Sequence, residues 1–136
     1  MPIRNSTSQT EAPVPGDKRN SFQEYPDWVA RIPQAEVDFP GADGRLIGGE
    51  GGQVVLWTFA DGGSVPEHRH GPQLGIVLSG CVQLTRGDET AEWTAGQTFS
   101  IDDQVPHAAV IAPGTRVVEI FQEHDRHRAR QEQHGE

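Results

Sequence analysis

The chain has 136 residues, a length typical of one domain with a single hydrophobic core. Its formal charge of −9 argues against a surface that binds nucleic acid or an anionic membrane. The one cysteine, Cys81, excludes an intrachain disulfide and a cysteine-based zinc cluster. No stretch is apolar enough for a membrane-spanning helix or a secretory signal, so we expect a cytoplasmic protein.

The first two segments differ in character. Residues 1–21 are polar and contain few bulky apolar side chains, which predicts a disordered tail. Residues 22–35 form a predicted helical arm, because apolar side chains recur at a spacing of three and four residues. These side chains are Phe22, Tyr25, Trp28, Val29 and Ile32. We expect the arm to pack on the domain or on a partner subunit, with direct ligand contact by Trp28 or Tyr25 as the alternative.

Residues 36–122 show the pattern of short strands separated by turns. Leu46 and Ile47 form a short predicted strand between glycines, and residues 53–60 are β-branched and aromatic. Further strands are predicted at about 65–70, 73–79, 81–86, 89–94, 97–101, 107–112 and 116–122. Because no helix separates them, the sequence predicts an all-β antiparallel sandwich or barrel.

Residues 123–136 are charged and carry no periodic apolar side chains, which predicts a frayed helix or a disordered tail. Three histidines lie in this segment: His124, His127 and His134. We interpret them as solvated surface side chains rather than as a second metal site.

The chemistry of the chain is concentrated in residues 62–80. His68 and His70 are two residues apart, and on a strand such residues point to the same face. Imidazole is a good ligand for divalent transition metals. His107 follows a second glycine-started strand, and Gln73 lies three residues after His70. We therefore predict that these four side chains bind one divalent metal ion, with Zn, Ni, Mn and Fe as the candidates. Packing of the histidines in a metal-free barrel is the alternative.

The spacing of these residues resembles the two motifs of the cupin family. Gly62, His68-Arg69-His70 and Gly80 resemble the first motif, and Gly96, Pro106 and His107 resemble the second. Cupins are small jelly-roll β-barrels that hold a metal inside the barrel. The resemblance therefore implies a single-domain antiparallel jelly-roll over residues 36–122. The H-x-H-x-x-Q-x-G pattern is similar to that of a bacterial single-domain subgroup.

Two departures from the family pattern bear on function. The usual glutamate ligand is missing, and Gln73 takes its place, similar to cupins related to the uronate ring-opening enzyme of pectin breakdown. A neutral amide leaves a divalent ion with its full charge, which makes it a stronger Lewis acid. This favours non-redox chemistry over dioxygen activation. Gln73 could alternatively hydrogen-bond a ligand or a metal-binding histidine. In the second motif, Asp102-Asp103-Gln104 replaces the usual Pro-x-Gly.

The pocket walls and the general base are less well defined. Val77 shares the strand face of Gln73 and is predicted to line the pocket, together with Trp57, Phe59 and Phe99. About half of the five aromatic residues, which include Trp93 and Phe121, are expected to face outward. Glu67 and Arg69 flank His68 and should point away from the metal. The remaining candidates for a base are Gln53, Thr58, Gln83, Asp102, Asp103, Glu119 and Gln122.

The sequence thus favours a metal-dependent enzyme of the lyase, isomerase or cyclase type. Its substrate would be an oxygenated small molecule, including anionic ones. A metal-dependent dioxygenase and a non-catalytic binding or sensing module are the alternatives. We also expect a homodimer, because the edge strands of such a fold need cover.

Overall fold

A computed structural model describes residues 24–131 of the chain. It confirms the all-β prediction: a short 3₁₀ helix, Asp27–Arg31, is followed within this range by nine strands. The strands are β1 Ala42–Gly49, β2 Gly52–Phe59, β3 Gly63–His68, β4 Gln73–Ser79, β5 Cys81–Arg86, β6 Glu89–Thr94, β7 Thr98–Ile101, β8 His107–Ile111 and β9 Thr115–Phe121. No helix in the described range is long and apolar enough to cross a membrane.

The strands form two antiparallel sheets. The five-stranded sheet has the order β1-β2-β9-β4-β7, and the four-stranded sheet has the order β3-β8-β5-β6. β9 therefore lies between β2 and β4, and β8 between β3 and β5, as in a jelly roll. Apolar side chains from the facing surfaces of both sheets form the core.

The alternation along β2 shows how the sequence specifies this arrangement. Gln53, Val55, Trp57 and Phe59 are buried, whereas the residues between them are only partly buried. Side chains of successive strand residues point to opposite faces, so the four buried residues lie between the sheets. They occupy successive inward positions from one end of the sandwich to the other. The metal-binding candidates lie at the end where β3 and β9 finish and β4 and β8 begin.

The first and third strands differ from their predicted bounds. β1 extends over eight residues rather than Leu46 and Ile47 alone, because it pairs with the whole of β2. Its Gly44 admits the ring of Trp57, since a Cβ there would lie 2.7 Å from the indole. β3 ends at His68 instead of residue 70, because its register with β8 shifts between Val65 and His68.

The predicted helical arm is a five-residue 3₁₀ helix, since Pro26 and Pro33 leave too few residues between them for an α-helix. Val29 is its buried residue, whereas Trp28 is 56% exposed. The Tyr25 hydroxyl donates to the carbonyl oxygens of Trp57 and Val117, at 2.9 and 3.3 Å. Neither Tyr25 nor Trp28 lines the interior cavity. Phe22 and the predicted disordered tail, 1–21, lie outside the described residues.

The C-terminal residues 123–131, called the strap below, fold back along the sandwich, so the prediction of a frayed helix or disordered tail is wrong for them. The Gln53 side chain accepts from the backbone N–H of His127 and donates to its carbonyl oxygen, both at 2.7 Å. The strap also hydrogen-bonds the segment before β1. These backbone bonds join Glu36 to Arg128 and Arg130 to Gln34, beside a bridge between Ala35 and Ala129. Cross-chain bonds of this kind leave no periodic signal in the sequence.

The outer faces of the two sheets have opposite character. One register line across the five-stranded sheet reads Ile47, Val54, Ile120 and Leu74. The corresponding line across the other sheet reads Ser64, Val110, Gln83 and Glu92. Ile47, Ile120 and Leu74 are 49%, 39% and 37% exposed. The chain therefore presents one apolar sheet surface and one mostly polar surface.

Candidate metal centre and its cavity

Three histidines converge at one end of the sandwich. The ligating atoms available on His68, His70 and His107 all lie within 4.8 Å of one another. His68, the last residue of β3, pairs with His107, the first residue of β8. His70 lies beyond the strand, so the two histidines do not converge through strand alternation as predicted. Instead, the backbone N–H of Gln104, which has a positive φ of 62°, donates to the carbonyl oxygen of His70 at 2.8 Å. The loop of the second motif thus holds the histidine of the first.

Hydrogen bonds determine which nitrogen of each histidine is free. Each Nδ1 atom lies against a backbone carbonyl oxygen, which can only accept, so Nδ1 carries the hydrogen and Nε2 keeps its lone pair. The acceptors are Pro66, Gly71 and Val105, at 2.9, 2.8 and 2.9 Å from His68, His70 and His107, respectively. Backbone carbonyls commonly orient metal-binding histidines in this way.

Burial keeps two of these rings neutral. It lowers the pKa of His70 to about 4 and also lowers the pKa of His107. Neutral imidazole is the form that binds a metal. The Nε2 atom of His107 is buried and has no hydrogen-bond partner among residues 24–131. A buried lone pair without a partner is costly, and a bound metal would satisfy it.

Gln73 presents an amide oxygen to the same cavity. Its Nε2 donates to Glu119 Oε2 at 2.7 Å, whereas its Oε1 is buried without a partner in the described part of the chain. The donor end of the amide is therefore engaged and the acceptor end is free. Three imidazoles and one amide oxygen fit a divalent transition metal. The role of Gln73 as the fourth ligand remains a prediction.

Glu119 lies beside these ligands in the cavity wall. It is one of the seven side chains that the sequence left open as a base. Both of its carboxylate oxygens accept hydrogen bonds: Trp57 Nε1 donates to Oε1 at 2.8 Å, and Gln73 Nε2 donates to Oε2. Glu119 pairs with Gly75 across the sheet, and the ring of Phe99 occupies the space in front of that glycine, since a Cβ there would overlap it. Burial raises the pKa of Glu119 to about 7, although these hydrogen bonds and the Arg126 charge oppose the shift.

The strap adds two side chains that sequence reasoning did not place in the site. Arg126 and His127 both line the cavity. The Arg126 guanidinium lies 6.0 Å from the centre of the Phe121 ring, and its Nε is buried without a partner among residues 24–131. His127 packs edge-on against Trp57 and Phe121, and burial lowers its pKa to about 4. The prediction of a solvated surface histidine is therefore wrong for His127.

The prediction of a solvated surface side chain has a different outcome for the other two histidines of that segment. His124 is exposed, and His134 lies outside the described residues. The one sequence signal for the strap was Gln53, a polar residue on the inward face of an apolar strand. A buried amide requires hydrogen-bond partners from elsewhere in the chain. The sequence did not show that the strap supplies them.

The cavity beside the histidines has a volume of about 420 Å³. Trp57, Phe59 and Phe99 line it, as does Phe121, so more of the aromatic side chains face inward than the predicted half. Val77 does not line it, contrary to the prediction. Val77 points to the interior but is fully buried in the core, because strand alternation determines the face of a residue and not its depth.

Glu67 was expected to point away from the histidines, and it lies instead on the wall of the cavity while remaining exposed. The irregular register that ends β3 alters the alternation on which that expectation depended. Arg69, for which the same expectation was made, is exposed and does not line the cavity.

A family model described as a cupin domain matches residues 55–129. The chain belongs to the cupin family. Similar solved structures include KdgF from a Halomonas species, with a TM-score of 0.58 and 19% identity over 67% of this chain and 87% of that one. An RmlC-like cupin from Shewanella frigidimarina has a TM-score of 0.59 and 20% identity, over 70% and 88% of the two chains.

A cupin superfamily protein from Desulfitobacterium hafniense is similar to the same degree, with a TM-score of 0.59 and 20% identity over 73% of this chain and 90% of that one. No curated protein matches the chain. Identities at this level establish the shared fold and nothing about the reaction. The family resemblance drawn from the two histidine motifs is thus confirmed. The fold does not determine the reaction, which has to be inferred from the residues of the site.

Proposed function

We propose that this cupin is a metal-dependent enzyme that carries out non-redox chemistry on an oxygenated small molecule. The reaction would be of the lyase, isomerase or cyclase type. The observation that supports this most directly is a carboxylate, Glu119, held in the same cavity as a set of uncharged metal ligands. His68, His70, His107 and Gln73 would hold the ion.

Charge is the first step of the argument. Because the four ligands are neutral, a divalent ion on them would keep its charge and act as a Lewis acid towards a carbonyl or carboxylate oxygen. Arg126 adds a second positive charge beside them. Its charge adds to the effect of burial in lowering the pKa of His70, and it opposes the effect of burial in raising the pKa of Glu119. This end of the cavity therefore favours an anionic oxygen.

Proton transfer is the second step. Lyases, isomerases and cyclases commonly remove a proton next to a carbonyl group and return it elsewhere. Glu119 has a pKa of about 7, so both its forms are populated at neutral pH. It lies on the opposite sheet from the histidines, which leaves room for a substrate between them. We assign the general base and acid to Glu119.

Substrate orientation is the third step. The Arg126 guanidinium has no carboxylate partner among the described residues, and the Phe121 ring supports it. Arginine binds carboxylates through two parallel hydrogen bonds. We assign Arg126 to an anionic group of the substrate.

Metal content tests the first part of the proposal. Purified protein should contain one divalent ion per chain, and His107→Ala should lose it, as measured by elemental analysis. His124→Ala, which changes an exposed histidine of the strap, is the matched control and should retain the ion. Equal metal content in all three proteins would overturn the site assignment.

Hydrogen exchange tests the reaction class without knowledge of the substrate. Zinc-loaded protein in D₂O should exchange the C3 hydrogens of some members of a 2-oxo acid panel, as followed by NMR. With zinc kept at saturating concentration, Glu119→Gln should abolish the exchange, and Glu92→Gln, on the outer face of the other sheet, should not. Oxygen consumption by iron-loaded protein would instead support a dioxygenase. Metal binding without exchange or turnover would support a binding module.

A further inference from the structure

The inner part of the cavity differs from its metal-binding end. A small residue widens it below the histidines: Ala109 on β8, opposite Leu84, lines the cavity. Ala109 is two residues from His107 on the same strand face, one step further into the sandwich. The space therefore continues inward past the metal ligands.

The walls of this inner part are apolar. Its lining includes Val82, Leu84, Phe99, Ile111 and Val117, from β5, β7, β8 and β9. The polar side chains that line the cavity are the histidines, Gln73, Glu119 and Arg126 of the metal-binding end, joined by Glu67 and Asp38. Glu67 is adjacent to His68, and Asp38 precedes β1. The apolar lining residues offer no side-chain partner for a hydroxyl group, because the one indole nitrogen among them, on Trp57, is already engaged by Glu119.

We propose that the substrate is an amphipathic acid, with an alkyl or aryl body in the inner cavity and its carboxylate at Arg126 and the metal-binding end. This inference rests on the proposed function and adds the substrate class. A polyhydroxylated acid of the same length is disfavoured. Each hydroxyl placed against these walls would give up its water without a replacement, which lowers affinity by about tenfold. Each buried methylene raises it by about fourfold.

A chain-length series tests the inference in the unaltered protein. Isothermal titration of zinc-loaded protein with 2-hydroxybutanoate through 2-hydroxyoctanoate should show affinity rising about fourfold per methylene until the cavity is full. Gluconate has the six carbons of 2-hydroxyhexanoate and the same 2-hydroxy acid head, so it differs only in its tail. We expect 2-hydroxyhexanoate to bind at least about tenfold more tightly. A flat series, no binding, or a preference for gluconate would overturn the inference.

Ala109→Leu tests the location. The larger side chain should fill the inner cavity and weaken 2-hydroxyoctanoate by about tenfold or more, with a smaller effect on 2-hydroxybutanoate and no change in zinc content. Val110→Leu is the control, since the neighbouring Val110 is 52% exposed on the outer face. If Ala109→Leu does not fold, Leu84→Ala should shift the preferred chain length upward. Equal losses for short and long acids would contradict the assignment. Failure to bind zinc would overturn the proposed function, whereas zinc binding with a flat series would overturn only this inference.

Discussion

Substitution of Glu119 by glutamine should turn over the side-chain amide of Gln73, to which it is hydrogen-bonded. In the native protein, Glu119 accepts from two donors, Trp57 Nε1 at 2.8 Å and Gln73 Nε2 at 2.7 Å. Glu119→Gln keeps one oxygen and replaces the other by an amide nitrogen. Trp57 can only donate and its ring is buried, so the remaining oxygen stays with it. The new amide nitrogen then faces the nitrogen of Gln73. That repulsion is relieved when the Gln73 amide turns over, which takes its oxygen away from the metal-binding end.

The expected loss of zinc affinity can be estimated, because Glu119 is the hydrogen-bond partner that orients the proposed ligand Gln73. Changes to such partners typically weaken metal binding by about 10- to 100-fold, or about 1.4 to 2.8 kcal/mol. Zinc affinity would be measured by competition with a chelating indicator. Glu119→Ala removes the partner of the Gln73 amide without forcing the amide to turn, so this variant should lose less zinc affinity than Glu119→Gln.

The double variant Glu119→Gln/Gln73→Ala decides whether Gln73 carries the effect. If Glu119→Gln acts through the Gln73 oxygen, the double variant should bind zinc no more weakly than Gln73→Ala alone. Additive losses in the double variant would refute this reasoning. So would native zinc affinity in Glu119→Gln.

Three other expectations concern stability and assembly. The raised pKa of Glu119 means that its protonated form stabilises the fold below about pH 4.5, and that this contribution disappears as pH rises through about 7. In urea unfolding of metal-free protein, native stability relative to Glu119→Gln should therefore fall by about 2 kcal/mol from pH 5.5 to 8.5; an unchanged difference would contradict it. Gln53→Ala removes both side-chain bonds to His127 and should cost about 2 kcal/mol while exposing the strap to limited proteolysis; native cleavage rates would count against this role. We expect a homodimer through the apolar sheet surface, so Ile120→Lys should give a monomer by light scattering and Val110→Lys should not; a monomeric native protein would reject this.

Alternation of apolar residues predicted much of the strand framework. β4, β5 and β6 have the predicted bounds, because each is a short run ended by glycine or a hairpin turn. The convergence of His68, His70 and His107 was also predicted from motif spacing. It arises through a different route, since His70 leaves the strand and the Gln104 loop holds it. The pattern identified the right residues and misjudged the backbone between them.

The rest of the site depends on contacts that local patterns do not encode. Arg126 and His127 enter the cavity because Gln53, more than 70 residues earlier in the chain, binds the strap backbone. Val77 and Glu119 share an inward orientation, yet one is sealed in the core and the other faces the cavity. That difference depends on where the side chains of the two sheets leave space unfilled, a property of the packed sandwich.

The two ends of the cavity are built from different parts of the chain. The prospective metal ligands come from β3, β4, β8 and the turn after β3, whereas β5 and β7 contribute Leu84 and Phe99 to the inner wall and no ligand. Mutations in those two strands can reshape the space for a substrate while the reacting groups keep their positions. Selection could therefore give descendants of this chain new substrates without a new reaction, and the inner wall is where divergence between such descendants should accumulate.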